Sequence, residues 1–323
     1  MISKIYYLKY FLLITSLAIL FQYCENDNLV NPSEPNTDWE SGLGYNESYR
    51  DSVLFSSNRN KDFYQRVYIM YKDGSGIKQK TSINISYNAE WSPKKRKILY
   101  LHYSDTSTYR IARIYIMNAD GSNNNIMSSI SDNIVSFKCS PDDKKIAYIN
   151  INRSGYVRIK LMNVDGSNQH SLIDSMYLGS LHTLTWSPDS KQIAYDGYAA
   201  YRIGIIDSTG KNNKELIDYG LQCWEPTWSP DGIYIAFVAF QTFSKGNLYL
   251  YYVPTKTVSQ LTSFEGTVEN PTWSPDNQGI IFSVIDSVSR RSHLYYINKY
   301  GSGLTQLTND STNNFSDQYP EWR

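Results

Sequence analysis

Residues 228–237 read Trp-Ser-Pro-Asp-Gly-Ile-Tyr-Ile-Ala-Phe, and versions of this decapeptide recur along most of the chain. Pro230 presets φ for the first corner of a tight turn, Asp231 tolerates the second corner, and Gly232 relieves the exit. The Ile, Ala and Phe residues that follow are typical of a buried strand. The segment therefore predicts a strand, a tight turn and a second strand.

The recurrence of this element predicts the architecture. Its copies are Trp91-Ser92-Pro93, Cys139-Ser140-Pro141, Trp186-Ser187-Pro188, Trp228-Ser229-Pro230 and Trp273-Ser274-Pro275, and Trp322 occupies a sixth anchor position without Ser-Pro. The spacings between anchors are 48, 47, 42, 45 and 49 residues. A period in the forties with four strands per unit is typical of β-propeller blades.

Each anchor is followed by further strand patterns. The first set covers residues 97–101, 145–149, 192–196, 234–238 and 279–284, and the second covers 113–117, 157–162, 201–206, 247–253 and 293–297. The second strands often run into a hairpin turn such as Asp120-Gly121 or Asp165-Gly166, which is a strong hairpin signal. A weaker fourth strand follows, as at residues 259–262 and 305–308.

The first and last units are incomplete in complementary ways. Strand patterns at residues 52–56 and 66–71 have no anchor strand before them, whereas residues 318–322 form an anchor strand with nothing after it. We therefore expect an all-β, six-bladed propeller of four-stranded antiparallel blades over residues 51–323. Its ring is closed by the C-terminal strand, which completes the first blade and removes exposed sheet edges.

The pattern resembles a known family of repeats. Arg113–Gly121 and Thr227–Phe237 are the best matches to the TolB-type propeller repeat, and the resemblance covers residues 51–323. It implies the fold and little about function, because many unrelated proteins carry such blades. TolB has an α/β domain before its propeller, and here residues 25–50 stand in that place, so TolB's own role is not expected to transfer.

The N-terminus predicts export. Residues 1–23 carry Lys4 and Lys9 and then an uncharged apolar run from Tyr10 to Phe21, which is shorter than the roughly 20 residues that span a bilayer and fits a signal peptide. With Cys24 next, the segment resembles a bacterial lipoprotein signal whose Cys is acylated, although Gln22 and Tyr23 replace the usual small residues. A soluble exported protein and an uncleaved anchor are the alternatives. Residues 24–50 are polar and predict a flexible tether.

Charge and cysteine content narrow the functional classes. Lys plus Arg and Asp plus Glu are both 31, and this balance argues against a nucleic-acid partner. Three cysteines are too few for a disulfide framework. Cys139 replaces an anchor aromatic and is expected to pack in the core, without a disulfide to Cys223. We expect a monomer with no cofactor, held to a membrane only through a lipid on Cys24.

The sequence contains no evident catalytic motif. The repeat is similar to the propellers of dipeptidyl and prolyl oligopeptidases, but we expect no hydrolase domain and find no Gly-x-Ser-x-Gly nucleophile elbow. Asp73-Gly74-Ser75-Gly76 is interpreted as a hairpin turn. His102, His170, His182 and His293 lack metal-ligand spacing, although propellers that act as sugar-acid lyases assemble metal ligands from several blades. No catalytic residue and no metal ligand is predicted.

A binding site is predicted at one mouth of the central channel. The residues three or four positions before each anchor are expected to converge there: Tyr87, Asn88, His182, Thr183, Trp224, Glu225, Glu269, Asn270, Gln318 and Tyr319, with Val135 and Ser136 from the Cys139 blade. Loops at residues 103–109 and 240–245 are expected at the same face. Such a ring suits a peptide, a glycan or a protein tail, and the alternative is a water-filled mouth without a ligand.

The function that these features favour is a non-enzymatic protein-binding or scaffold propeller of the bacterial cell envelope. Its partner would be an envelope protein or polymer, and its location periplasmic, anchored in the outer membrane, or at the cell surface. One alternative is a glycan-acting lyase or hydrolase with its site in the central channel. Another is a surface sensor module.

Overall fold

The computed structural model describes residues 51–60, 64–82, 85–92, 97–104, 111–127, 133–152, 154–176, 181–198, 201–242, 245–309 and 315–322. The predicted signal peptide, Cys24 and the tether lie outside these ranges, as do Pro93 and the loop residues 105–109 and 243–244. Within these ranges, no helix is long and apolar enough to cross a membrane.

The described residues form six four-stranded antiparallel sheets, which are the blades, with strands numbered in chain order. Blade 1 contains β24 (Asp317–Trp322), β1 (Ser52–Ser57), β2 (Arg66–Tyr71) and β3 (Lys78–Gln79). Blade 2 contains β4 (Ser86–Trp91), β5 (Lys97–Ser104), β6 (Ile111–Asn118) and β7 (Asn125–Ile126). Blade 3 contains β8 (Asn133–Cys139), β9 (Lys145–Ile151), β10 (Val157–Asn163) and β11 (His170–Met176).

The second half of the ring repeats this order. Blade 4 contains β12 (Leu184–Trp186), β13 (Gln192–Tyr198), β14 (Arg202–Asp207) and β15 (Lys214–Ile217). Blade 5 contains β16 (Gln222–Trp228), β17 (Tyr234–Thr242), β18 (Lys245–Tyr252) and β19 (Thr257–Gln260). Blade 6 contains β20 (Thr267–Trp273), β21 (Gly279–Ile285), β22 (Ser292–Asn298) and β23 (Thr305–Gln306). The predicted six blades of four strands are confirmed.

The predicted closure of the ring is also confirmed. Strand β24 pairs antiparallel with β1, with Trp322 opposite Val53 and Asp317 opposite Ser57. An ion pair reinforces this join, because the Arg59 guanidinium lies 2.8 Å from the carboxylate of Asp317, whose side chain is fully buried. The C-terminal strand is thus the innermost strand of the first blade.

The core is divided into six apolar clusters, one between each pair of adjacent blades. The cluster between blades 5 and 6, for example, joins Val238 and Leu248 to Trp273 and Phe282, and the closing interface joins Phe55 to Ile281. The second strand of each blade supplies residues to the clusters on both of its faces, as Ala236 and Phe237 do. This explains its apolar sequence, because a strand covered on both sides does not alternate with polar residues.

The Ser-Pro-Asp-Gly turn forms a compact hydrogen-bonded unit. The Ser229 hydroxyl donates to the Asp231 carboxylate over 2.6 Å and accepts from the Tyr234 N–H over 2.8 Å. Gly232 has a φ of 73°, as the predicted turn requires. The Ser187 hydroxyl makes the same contact with Asp189. The repeated motif is therefore the hairpin turn that connects the innermost strand of a blade to its second strand.

The predicted hairpin turn at residues 73–76 is confirmed. It joins β2 to β3, and its Gly74 N–H donates to the Tyr71 carbonyl over 2.9 Å. Gly74 has a φ of 84°, and a Cβ there would overlap the carbonyl oxygen of Leu307 in blade 6. Gly301 of blade 6 similarly faces Leu261 of blade 5. These glycines let the outer turns of one blade rest against the preceding blade.

Candidate binding site at the channel mouth

Most of the predicted mouth residues lie at β-bulges in the innermost strands, whereas His182 and Thr183 lie just before β12. The pairing register shifts between Tyr87 and Glu90, between Trp224 and Thr227, and between Glu269 and Thr272. The residues three positions before the anchor have positive φ: Asn88 at 50°, Glu225 at 54°, Asn270 at 52° and Tyr319 at 52°. A bulge re-aims side chains and leaves backbone groups outside the ladder, so these residues can bond to other blades.

The bulge residues are connected around the ring by hydrogen bonds. The Glu225 N–H donates to the Asp196 carboxylate over 3.3 Å, and the Glu225 carboxylate accepts from both the backbone and the side-chain N–H groups of Asn270. The Asn270 side-chain oxygen in turn accepts from the Tyr319 N–H over 3.3 Å. We call Asp196, Glu225, Asn270 and Tyr319 the bulge belt. It joins blades 4, 5, 6 and 1 through polar contacts.

Two clusters of aromatic side chains lie near the bulge belt. The His182 and Trp224 rings are 4.9 Å apart, and Tyr201 lies 5.1 Å from Trp224 on centroids. Trp224 is only 8% exposed, so its side chain packs between blades rather than lining an open surface. Elsewhere, Tyr87 lies 5.5 Å from Tyr103 and 6.0 Å from Tyr319. These three tyrosines are all half-buried.

The carboxylates of the mouth influence one another and the tyrosines. Burial raises the pKa of Glu225 well above its usual value, and the neighbouring Glu269 and Asp196 carboxylates raise it further. Burial also raises the pKa of Tyr319, with Glu269 and Glu225 contributing in the same direction. The Glu225 carboxylate and Tyr319 are linked through Asn270, which donates to Glu225 and accepts from the Tyr319 N–H. The Gln318 side-chain oxygen accepts a hydrogen bond from the Gln65 side chain over 3.2 Å.

Sequence reasoning missed Asp196, which anchors one end of the bulge belt. Its carboxylate is fully buried and accepts from the His182 N–H over 2.7 Å and from the Thr183 N–H over 3.0 Å. Burial raises the pKa of Asp196, and His182 and the N–H donors oppose that rise. A signal was available, because Asp196 follows Ile-Ala-Tyr in a strand that is otherwise apolar.

A second polar ring, one position before each anchor, was also missed. Its members are Glu90, Lys138, Thr185, Thr227, Thr272 and Glu321. The Lys138 ammonium lies 2.6 Å from the Glu321 carboxylate, and Glu90 accepts from the Cys139 N–H over 3.2 Å. Lys138 belongs to blade 3 and Glu321 to blade 1, so the ion pair passes inside the innermost strand of blade 2.

The second polar ring contains two carboxyl groups, on Glu90 and Glu321, and one ammonium group, on Lys138. Burial raises the pKa of Glu90 to about 8, against the opposing effect of Lys138 and with a further increase from Glu321. Burial tends to lower the pKa of Lys138, but Glu321 and Glu90 carry it above its usual value. The arrangement therefore favours a protonated, neutral Glu90 beside a charged Lys138–Glu321 pair.

The remaining chemistry-bearing residues are dispersed. His102 packs edge-on against Tyr115 at 5.0 Å, and the His170 ring contacts the Asn168 carbonyl at an exposed position. Across the described ranges, no group of three or more His, Cys, Asp or Glu side chains is arranged to hold a metal ion. Cys139 and Cys223 are buried free thiols, in agreement with the sequence prediction of no disulfide between them.

Comparison with known proteins agrees with the architecture. Residues 196–322 match the family model described as TolB beta propeller domain. The Tol-Pal system protein TolB of Hahella chejuensis (strain KCTC 2396) is 36% identical over 66 residues, which cover 20% of this chain and 15% of that protein. This relative is therefore matched over well under two thirds of its own length.

Solved structures extend the likeness to the whole ring. TolB from Acinetobacter baumannii superposes with a TM-score of 0.72 at 20% identity, covering 84% of this chain and 66% of that one. An oligogalacturonate lyase in complex with manganese gives a TM-score of 0.59 at 15% identity, covering 81% and 75% respectively. At these identities the comparison concerns the fold alone. Residues 196–322 match the TolB beta propeller domain model, and the chain folds as a six-bladed β-propeller similar to that of TolB.

Proposed function

We propose that this chain is a non-enzymatic binding or scaffold protein of the bacterial envelope, which engages a protein or envelope polymer at the channel mouth. The observation that carries the proposal is that half-buried tyrosines of blades 1 and 2 meet beside the bulge belt, in which the Glu225 carboxylate is linked through Asn270 to Tyr319. A closed ring holds these groups in place before a partner arrives. Such preorganisation reduces the entropy lost on binding.

The sequence and one relative support an exported location for the proposed protein. The predicted signal at residues 1–23 and the lipid-acceptor candidate Cys24 favour an exported protein with its propeller on a tether. The Hahella chejuensis relative is a Tol-Pal system protein. We propose a monomer whose attachment to the membrane depends on the acyl chains at Cys24, since stable anchoring takes two lipid signals.

The test is crosslinking and pull-down from envelope membranes with Cys24 intact. Wild-type protein is compared with Tyr87→Leu at the mouth and with Tyr71→Leu, which replaces a half-exposed tyrosine at the outer turn of blade 1. We expect a specific partner with wild type and Tyr71→Leu and a marked loss with Tyr87→Leu. Equal recovery with both variants, or no specific partner at all, would contradict the proposal.

A glycan-acting enzyme is the second candidate, supported by the fold shared with the oligogalacturonate lyase. His182 lies beside Trp224 at the mouth and is the histidine to test. Elemental analysis of purified protein distinguishes the two functions. A stoichiometric divalent metal that is lost in His182→Ala would favour the enzyme, and its absence from both proteins would favour the binding module. A sensor module would give the same result as a binding module in the elemental analysis, and only the identity of its partner would differ.

A further inference from the structure

Three tyrosines form a continuous aromatic wall on one side of the channel mouth. Tyr87 stacks on Tyr103 with an interplanar angle of 24° and meets Tyr319 at 52°. The three side chains come from β4, β5 and β24, and all are half-buried, so part of each side chain remains accessible to solvent. Burial and the neighbouring Tyr103 and Tyr319 raise the pKa of Tyr87, so this ring remains a neutral phenol at physiological pH.

Glu225 and Glu269 lie in β16 and β20, and the Glu225 carboxylate accepts from the Asn270 N–H, while the Asn270 side-chain oxygen accepts from the Tyr319 N–H. The charges of Glu269 and Glu225 both act on Tyr319, and Glu269 acts on Glu225 as well. We call Tyr87, Tyr103, Tyr319, Glu225 and Glu269 the aromatic–acidic corner. Burial and the Glu269 charge both raise the pKa of Glu225, so a cation entering the corner would offset the charge of Glu269.

A buried hydroxyl provides a second, independent indication. Ser283 is fully buried, and no hydrogen-bond partner for its hydroxyl is found in the part of the chain that the structure describes. It pairs in register with Glu269, so both side chains leave the same face of blade 6. The equivalent Ser56 and Asp196 each accept the N–H of a bulge residue in the following blade. The equivalent position in blade 6 therefore places Ser283 beside the bulge residue Tyr319, whose own N–H donates instead to the Asn270 side chain.

We propose that the aromatic–acidic corner is a subsite for an organic ammonium group, such as a lysine side chain of the partner. The inference deepens the proposed function and rests on it. Aromatic faces attract ammonium groups through their quadrupoles, and cages of aromatic rings recognise organic ammonium ligands. A calcium or magnesium ion would instead take six or more oxygen ligands, and the faces of aromatic rings supply none.

The test is an NMR titration of the full chain with n-butylammonium, with n-butanol as the uncharged probe of similar shape. We expect n-butylammonium to perturb the tyrosine signals and n-butanol to bind far more weakly. Glu269→Gln should weaken n-butylammonium binding about tenfold, which corresponds to losing one modest charge contact. The matched control is Glu265→Gln, an exposed glutamate that pairs with Lys245, and it should leave the affinity unchanged.

Further variants separate binding from folding. Tyr319→Phe keeps the ring and should retain binding, whereas Tyr87→Leu removes a ring and should lose it, with melting temperatures recorded for each. Equal affinity for n-butanol, an unchanged affinity in Glu269→Gln, or competition by millimolar calcium would each overturn the subsite. If the pull-down recovers a partner that binds wild type and Glu269→Gln equally well, only the ammonium inference fails. If n-butylammonium binds but no partner is recovered, only the proposed function fails.

Discussion

Buried carboxylates accept the hydrogen bonds that hold neighbouring innermost strands together around the channel. Asp196 is fully buried and accepts hydrogen bonds from the N–H groups of His182, Thr183 and Glu225. Such a group is costly to bury and costly to remove, because its donors would be left without an acceptor in a low-dielectric site. Its role is to fix the innermost strand of blade 5 against blade 4.

The first prediction concerns this carboxylate. Asp196→Ala should lower the free energy of unfolding by about 3 kcal/mol, since three buried N–H groups lose their acceptor. Asp196→Asn keeps one side-chain oxygen and should cost less. Asp174→Ala, which removes an exposed carboxylate paired with Arg158, is the control and should change stability by less than about 0.5 kcal/mol. Urea denaturation measures all three, and equal effects of Asp196→Ala and Asp174→Ala would refute the assignment.

The second prediction concerns Glu90, whose pKa is raised to about 8 chiefly by burial. Between the ordinary glutamate pKa and about 8, the folded protein holds a proton that the unfolded chain has released, so stability falls as pH rises through this window. Groups near Glu90 include Lys138 and Glu321. Glu90→Gln should flatten the decline in melting temperature between pH 5 and pH 8. An identical pH profile in wild type and variant would contradict this.

At the scale of elements, the outer hairpin turns act as spacers between blades. The turn from β2 to β3 rests on the end of β23 through Gly74, at a position where a Cβ would meet the Leu307 carbonyl. The glycine is therefore required twice, once for its positive φ and once for the close approach. The recurring Asp-Gly pairs of the sequence reflect this packing as well as local turn chemistry.

The third prediction separates these two requirements. Gly74→Ala should lower the free energy of unfolding by about 3 kcal/mol, because it adds overpacking to the cost of a left-handed conformation. Gly220→Ala is the matched control, since Gly220 has a φ of 71° and a Cβ added there would meet nothing within 4 Å. It should cost only about 1 kcal/mol. Equal losses in thermal unfolding would show that packing against Leu307 contributes nothing.

At the scale of the whole molecule, the propeller depends on joining its two ends. Strand β24 supplies the inner edge of blade 1, and the Arg59–Asp317 ion pair lies beside that pairing. The Arg59 guanidinium also lies within 5.1 Å of the ring centroids of Phe55, Tyr68 and Phe315. Without β24, the apolar face of blade 1 and the interface to blade 6 would both open to water.

The fourth prediction follows from this closure. Removing residues 317–323 should abolish cooperative thermal unfolding or lower the melting temperature by well over about 10 °C, because a strand and part of two blade interfaces are lost. Asp317→Asn keeps the strand and weakens only the ion pair with Arg59, so its effect should be clearly smaller. A melting temperature that survives the truncation unchanged would contradict closure by β24.

Much of the fold could be predicted because it is encoded by local rules. The Ser-Pro-Asp-Gly turn, the apolar second strand and the Asp-Gly hairpin each depend on residues close to one another in the chain, and their repetition fixed the number of blades. The unmatched anchor strand at Gln318–Trp322 was enough to predict closure. The predicted mouth positions proved to be neighbours in part, as the contact between Tyr87 and Tyr319 demonstrates.

What the sequence alone determined was therefore the type, number and order of the blades, together with the ring's closure. The tertiary structure decided which polar groups meet, because contacts such as Lys138 with Glu321 join residues 183 positions apart. Bulges at Asn88, Glu225 and Asn270 also changed which side chains face the channel, since one extra residue reverses the alternation of a strand. The physical reason is that local turn chemistry sets each blade, whereas the channel exists only once six blades have closed around it.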